Sequence, residues 1–317
     1  MKLIAIAAAA MLVGGCATAP PASSAYELIP GTFEADRQPD GNSIILDAPK
    51  GLIVIDTGRH AAQQARILAV AHARGKPIAA IINSHWHLDH TGGNQELRAA
   101  FPDASIIAST AVEGALTGFL ADSRKEAEAF IASGQAPPEQ VAEMRGDFAA
   151  MDDAADLRPT EPVTGSGRRK VAGRPLDLHL APYAATAGDV WVYDSATRTV
   201  FSGDLVVAFA PFLDTACVAG WLAALDQIEA VPFTTLVPGH GQPMDRAAFG
   251  QWKSAFRNLV DCAASKASDA ECIAGWDRDA APFVAELAPR KIDPMIAYYL
   301  KARLRAAPAE RDKYCKP

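Results

Sequence analysis

Apolar positions along this chain follow two rhythms. Ser43-Ile44-Ile45-Leu46 and Leu52-Ile53-Val54-Ile55 are short continuous runs split by Pro49-Lys50-Gly51, which predicts two strands joined as a hairpin. Asp56-Thr57-Gly58 ends the second strand. Ala61 to Arg74 has helical composition and stops at Gly75, and Ile78 to Ile82 reads as another buried strand. Gly92-Gly93 opens a short predicted helix that reaches Ala100, and Ser105 to Ala108 supplies the next strand. The pattern so far is alternating α/β.

From Thr110 to about Leu157 the strand rhythm stops. Helix formers interspersed with charges, broken at Gly134 and Pro137-Pro138, predict a helical insertion over residues 110–157. Met144, Phe148 and Met151 recur there at helical spacing, the pattern of core or lid packing. Strand signals return at Leu176 to Leu180, Val190 to Tyr193 and Thr199 to Phe201, the last two joined by the turn Asp194-Ser195-Ala196-Thr197. A helix over Ala219 to Ala230 then leads to a strand at Thr235 to Val237 and the tight turn Pro238-Gly239-His240-Gly241. Residues 245–317 read as mainly helical. Two strand-rich halves are thus linked by a helical segment within one predicted domain, residues 26–317.

Composition narrows the class. With 317 residues, 50% of them hydrophobic and 21% charged, the chain can build a sizeable globular core. A formal net charge of -7 with dispersed Lys and Arg argues against a nucleic-acid partner and leaves a small-molecule substrate as the expected one. Arg168-Arg169-Lys170, the densest basic run, reads as a solvated turn. At the N-terminus, Lys2, the apolar stretch Leu3 to Val13 and Gly14-Gly15 form an export signal over residues 1–15, too short for a comfortable membrane span. Val13-Gly14-Gly15-Cys16 resembles a bacterial lipobox, which implies a lipid anchor on Cys16 as the membrane contact and a periplasmic location. Residues 16–25 then form a flexible tether, and Ala17 resembles the outer-membrane sorting pattern. An ordinary secreted protein that discards Cys16 is the alternative. Export implies an oxidising compartment, which makes Cys217, Cys262, Cys272 and Cys315 disulfide candidates. Of the three pairings that four thiols allow, Cys262 with Cys272 is the sequence-local choice and leaves Cys217 for Cys315.

The chemistry concentrates in Asn83-Ser84-His85-Trp86-His87-Leu88-Asp89-His90-Thr91-Gly92-Gly93. His85 and His87, two apart at the end of a predicted strand, point to one side in extended backbone and can meet one ion. Asp89 and His90 then face a second position. Gly92 and Gly93 allow a sharp turn into a helix beside the metals. All ligands are N or O donors, which suits Zn²⁺ and also Fe or Mn.

The chain here resembles the metallo-β-lactamase superfamily, hydrolases built as a four-layer αβ/βα sandwich. Val54-Ile55-Asp56-Thr57-Gly58, His85-x-His87-x-Asp89-His90, Phe201-Ser202-Gly203-Asp204-Leu205 and Pro238-Gly239-His240-Gly241 follow in family order. The resemblance implies that His85 and His87 hold one metal, that Asp89, His90 and His240 hold a second, and that Asp204 bridges them. Asp56 is implied to be structural, accepting loop hydrogen bonds without touching metal. One element is missing. The family supplies a third His to the first metal from a Gly-His-Thr-x-Gly-Asp motif, and Ala184-Ala185-Thr186-Ala187-Gly188-Asp189 stands there, with Ala185 at the His position. One tightly held Zn²⁺ and a weak or absent second follow, unless His179 or, preferably, Asp214 substitutes. The stretch from Asp204 to Trp221 is also similar, more weakly, to the exported quinoprotein-relay branch.

The implied activity is hydrolysis of an ester, thioester, lactone or amide-type bond by metal-bound water, with Asp89 or Asp204 orienting the water and accepting its proton. A non-catalytic metal-dependent binding protein is the alternative that the missing His favours. An iron-dependent oxidoreductase of the same fold is the third, and loss of a first-site His counts against it.

Overall fold

The computed structural model describes residues 26–34, 37–152, 154–285 and 292–315. The expected signal segment 1–15 and tether 16–25 lie outside the described residues. Strands β1 (Glu27–Ile29), β2 (Ser43–Ala48), β3 (Gly51–Ile55), β4 (Ile78–Ile82), β5 (Ser105–Ala108) and β6 (Glu161–Pro162) form one sheet in that order. Its first three strands pair antiparallel and β3 to β6 pair parallel. The second sheet has the order β11-β10-β9-β8-β7, built from β7 (Gly167–Val171), β8 (Arg174–Tyr183), β9 (Ala187–Asp194), β10 (Thr199–Phe201) and β11 (Thr235–Val237).

Strand periodicity divides the apolar residues among layers. In β3, Ile53 and Ile55 face the second sheet and meet Leu176, Leu178, Val190 and Val192. Leu52 and Val54 point the other way, against Ile67 of α1 (Ala61–Arg74) and Leu97 of α3 (Asn94–Ala100). On the far side of the second sheet, Trp191 and Val200 pack with residues of α7 (Val218–Ala230), α8 (Arg246–Ala264), α9 (Asp269–Asp279) and α11 (Ile292–Tyr299). The result is the expected αβ/βα sandwich. Between β5 and β6 lie the helices α4 (Val112–Thr117), α5 (Phe119–Ala132) and α6 (Pro138–Asp152).

Two expectations are corrected. Arg168, Arg169 and Lys170 are not in a turn but in β7, the outermost strand of its sheet, paired in register with Asp177, Leu176 and Pro175. Charged side chains suit such an edge because they discourage pairing with other chains. The strand read as ending at Ile82 does end there, and residues 84–86 bend instead of carrying it on to His85 and His87, although the backbone of His87 is itself extended (φ -63°, ψ 145°). His87 is the residue before the single turn α2 (Leu88–Thr91). The intervening loop is pinned across the sandwich, where Val190 N–H donates to Ser84 O at 2.6 Å and Trp86 Nε1 donates to Ala187 O at 3.1 Å.

Cys217 and Cys315 stand at disulfide distance, as do Cys262 and Cys272, with Cα separations of 4.8 and 5.6 Å. These are the sequence-local pairing and its complement. Among the described residues no helix is long and apolar enough to cross a membrane.

Candidate metal centre

The loop between β4 and α3 delivers His85, His87, Asp89 and His90 to one end of the sandwich, and the loops after β10 and β11 deliver Asp204 and His240. Ligand atoms fall into two groups, His85 with His87 and Asp204, and Asp89 with His90 and His240, each within 4.8 Å. Nε2 of His85 lies 3.0 Å from Nδ1 of His87 and 3.8 Å from Asp204 Oδ2. In the second group Nε2 of His240 lies 3.1 Å from Asp89 Oδ2 and 3.3 Å from Nε2 of His90. Asp204 Oδ1 approaches both of these imidazoles, at 3.2 and 3.5 Å, so its carboxylate stands between the groups.

Three of the four rings are held from behind. Asp56, the last residue before the tight turn after β3, has φ 58° and accepts from Ser84 N–H and Ser84 Oγ, both at 2.7 Å. The same carboxylate lies 2.8 Å from His90 Nδ1, the structural role expected of Asp56. Ser84 Oγ also lies 3.0 Å from His85 Nδ1. His87 turns Nδ1 to the centre and Nε2 to Thr215 Oγ1, 3.3 Å away, and that hydroxyl donates to Ala185 O at 3.2 Å.

Close backbone approach completes the packing. A Cβ on Gly239 would lie 2.0 Å from Asp204 Oδ1, and one on Gly41 would lie 2.4 Å from the His90 ring, so only glycine fits either place. Asn42 ties down the His240 turn by donating Nδ2 to Pro238 O and Gly241 O, each at 2.9 Å. The chain after Asp204 is fixed by three buried indoles. Trp221, Trp252 and Trp276 donate to the carbonyls of Leu205, Val207 and Phe209 at 2.9, 2.9 and 3.2 Å.

Burial and charge fit a cation. Burial lowers the His85 imidazole well below its usual pKa, helped by His90 and His87, and lowers His87 too, which leaves both in the neutral form that ligates metal. Burial alone would lower His90, but the carboxylates of Asp204, Asp89 and Asp56 raise it well above the usual imidazole range. Asp89 and Asp204 are depressed in spite of their burial, chiefly by His90 and His240. Both oxygens of Asp204 are buried and have no hydrogen-bond partner. A buried carboxylate with imidazoles as its sole close polar neighbours is costly when those rings are neutral, and a divalent cation between the two groups relieves that cost.

Neither proposed substitute joins the first group. The His179 ring stacks on Trp191 in mid-strand, with centroids 3.7 Å apart and planes 6° off parallel. Asp214 accepts from Tyr299 O–H at 2.6 Å instead. Thr215, Gly41, Asn42 and the three tryptophans were not singled out from sequence. Asp40-Gly41-Asn42 carries only a generic turn signal, and nothing local marks Thr215.

A cavity of about 740 Å³ opens onto the centre at His87 and Asp89. Its walls come from α5, α6, the loop carrying Phe212 and Asp214, and Met295 and Tyr299 of α11.

The description of the metallo-beta-lactamase superfamily matches residues 37–240. The chain belongs to the metallo-β-lactamase superfamily. Among the superfamily's curated members it is similar to a linear primary-alkylsulfatase of a Pseudomonas species, 23% identical over 221 residues. That match covers 63% of this chain and 41% of the relative, so the chain spans about two-fifths of the relative's length. An (R)-specific secondary-alkylsulfatase of Pseudomonas is 32% identical over 97 residues, 30% of this chain and 14% of that protein. Among solved structures, a metallo-beta-lactamase from Pontibacter korlensis superposes with a TM-score of 0.54 at 17% identity, covering 75% of this chain and 98% of that one. At that identity the likeness is one of fold. The superfamily match stops before α8, α9 and α11.

Proposed function

We propose that the protein is a metal-dependent hydrolase acting on an ester, thioester, lactone or amide-type bond, with Zn²⁺ as its metal. The observation that carries this reading is the buried Asp204 carboxylate, which meets only imidazoles and stands between two groups of candidate ligands. His85, His87 and Asp204 would hold one ion, and Asp89, His90 and His240, with Asp204, the other. When bound, a divalent cation supplies Lewis acidity, acidifying a water and polarising the oxygen of the bond under attack.

The chain's own groups do the rest. Asp89 turns Oδ2 to His240, while Oδ1 lies 3.9 Å from Arg59 Nη2 on the cavity side. Oδ1 is therefore the atom that orients the attacking water and accepts its proton. Asp56 and Thr215 keep the His90 and His87 rings in place, and the walls of α5 and α6 keep bulk water from the reacting bond. With Ala185 in place of a third imidazole, the first group offers fewer ligands than the second, so one zinc is held tightly and the other weakly. Because two relatives are named alkylsulfatases, a sulfate ester joins the bonds to be screened. Export with a lipid on Cys16 belongs to the same reading, supported by two cysteine pairs at disulfide distance.

The test is to strip the purified protein with a chelator, restore zinc, and assay ester, thioester, lactone, lactam and sulfate-ester libraries with metal content measured in parallel. Chelator-sensitive turnover that returns with zinc is expected. Stoichiometric zinc with no turnover on any library would leave the non-catalytic binding protein, which Ala185 favours.

A further inference from the structure

The metal loop supplies only the floor of the cavity. Phe119, Phe130, Met144, Phe148, Met151 and Phe212 line its walls, and none of the six is fully buried. No residue of helix α6 is fully buried. Its apolar stripe, Met144, Phe148 and Met151, has the spacing that ordinarily presses against a core. Here Met144 and Phe148 face an opening that runs to His87 and Asp89, while Met151 lines it and also packs on the small cluster of Trp86, Leu88 and Leu157. Thioethers and aromatic rings make such a surface apolar and adaptable.

The charges on the same walls are spoken for. Arg37 pairs with Glu143 at 3.1 Å, Arg59 with Asp147 at 2.5 Å, and Arg124 with Glu128 at 2.9 Å. No lysine lines the cavity among the described residues, and Asp214 is engaged by Tyr299. An anionic group on a ligand would have to compete with these carboxylates for the arginines of the wall. Carboxylates outnumber the arginines, so a negative charge placed beyond the metal loop would meet repulsion.

We propose that these walls bind an uncharged, medium-length alkyl or aryl group adjoining the bond to be cleaved. The binding claim stands on the cavity itself, and only its link to a cleaved bond rests on the hydrolase reading. A volume of about 740 Å³ is in the range of small-molecule sites.

Two measurements on the full-length protein test this separately. In the first, chelator-stripped protein is titrated with the fluorescent probe N-phenyl-1-naphthylamine, and the probe is displaced with 1-decanol or with the dicarboxylate sebacate. Decanol is expected to compete at least about tenfold better, and Phe148→Ser and Met144→Gln are each expected to weaken the probe about five- to tenfold. Equal competition by the two, or probe binding that neither substitution changes, overturns the proposal. In the second, zinc-restored protein is assayed on p-nitrophenyl esters from acetate to decanoate. An increase in kcat/KM of about two- to fourfold per methylene is expected, with a loss when the chain ends in a carboxylate. A flat profile overturns the proposal. No hydrolysis of any ester, with selective probe displacement intact, removes carboxylic esters from the hydrolase reading and supports the wall assignment.

Discussion

The two halves of the centre take their histidines from one short loop and share Asp204, yet they are finished differently. The Asp89, His90 and His240 half is enclosed by side chains and backbone placed for it. Asp56 backs His90, Gly41 makes room for its ring, and Asn42 holds the His240 turn. The His85 and His87 half has its rings braced by Ser84 and Thr215 but lacks a third imidazole, because Ala185 stands where the superfamily places one. Both side chains that were candidates to repair it are committed elsewhere, His179 against Trp191 and Asp214 to Tyr299. Proximity to the site therefore does not make a ligand. A ligand needs a group that holds it in the right orientation.

The comparison breaks most directly at the imidazoles. His240→Ala should lower kcat/KM by on the order of 10³, and His85→Ala by no more than about tenfold to a hundredfold, measured on whichever substrate the libraries return. Equal losses would mean that the halves are equivalent. Next in size is metal retention. After dialysis, elemental analysis should find close to one zinc per chain, and Ala185→His should raise the count toward two. Two ions held equally by the unmodified protein would reveal a ligand that the geometry does not show. Thr215→Val removes the brace behind His87 and leaves every proposed ligand in place. Zinc affinity at the weaker half should fall about ten- to a hundredfold while the tight zinc is unaffected.

The smallest effect concerns the loop that carries Ala185. Asp189, close to the chain end of that loop, accepts from Thr186 N–H and Oγ at 2.9 and 3.2 Å, and burial pushes its carboxyl up to about 8. The folded state thus keeps a proton that the unfolded chain releases near pH ~4. That contribution to stability is fully present below ~4 and is lost as pH rises through about 8. Thermal unfolding of Asp189→Asn should therefore lose less stability than the unmodified protein between pH 5 and 9, roughly the window those values set. Parallel melting curves would show that Asp189 is ionised throughout.

The sandwich was legible because β2, β3, β4 and β9 are nearly continuous apolar runs, which strands buried on both faces require. The edges were not. β1 has three residues and β6 has two, and β7 carries Arg168, Arg169 and Lys170, since an edge strand satisfies half its backbone with solvent and needs no apolar face. The six site residues were readable because their spacing comes in ordered motifs, and the structure brings all six together. What surrounds them was not, because Thr215, Asn42 and the tryptophans act across long stretches of sequence through single hydrogen bonds. Met144 and Phe148 showed a helical stripe, but no periodicity says whether such a stripe meets a core or an open space.

Met295 and Tyr299, close to the chain's end, form part of the cavity wall, and Cys315 ties the region beyond them to Cys217, 98 residues earlier. The cavity wall furthest along the sequence is thus held by a covalent link as well as by packing. While those two sulfurs stay reduced, the far wall lacks that clamp and is held by packing alone.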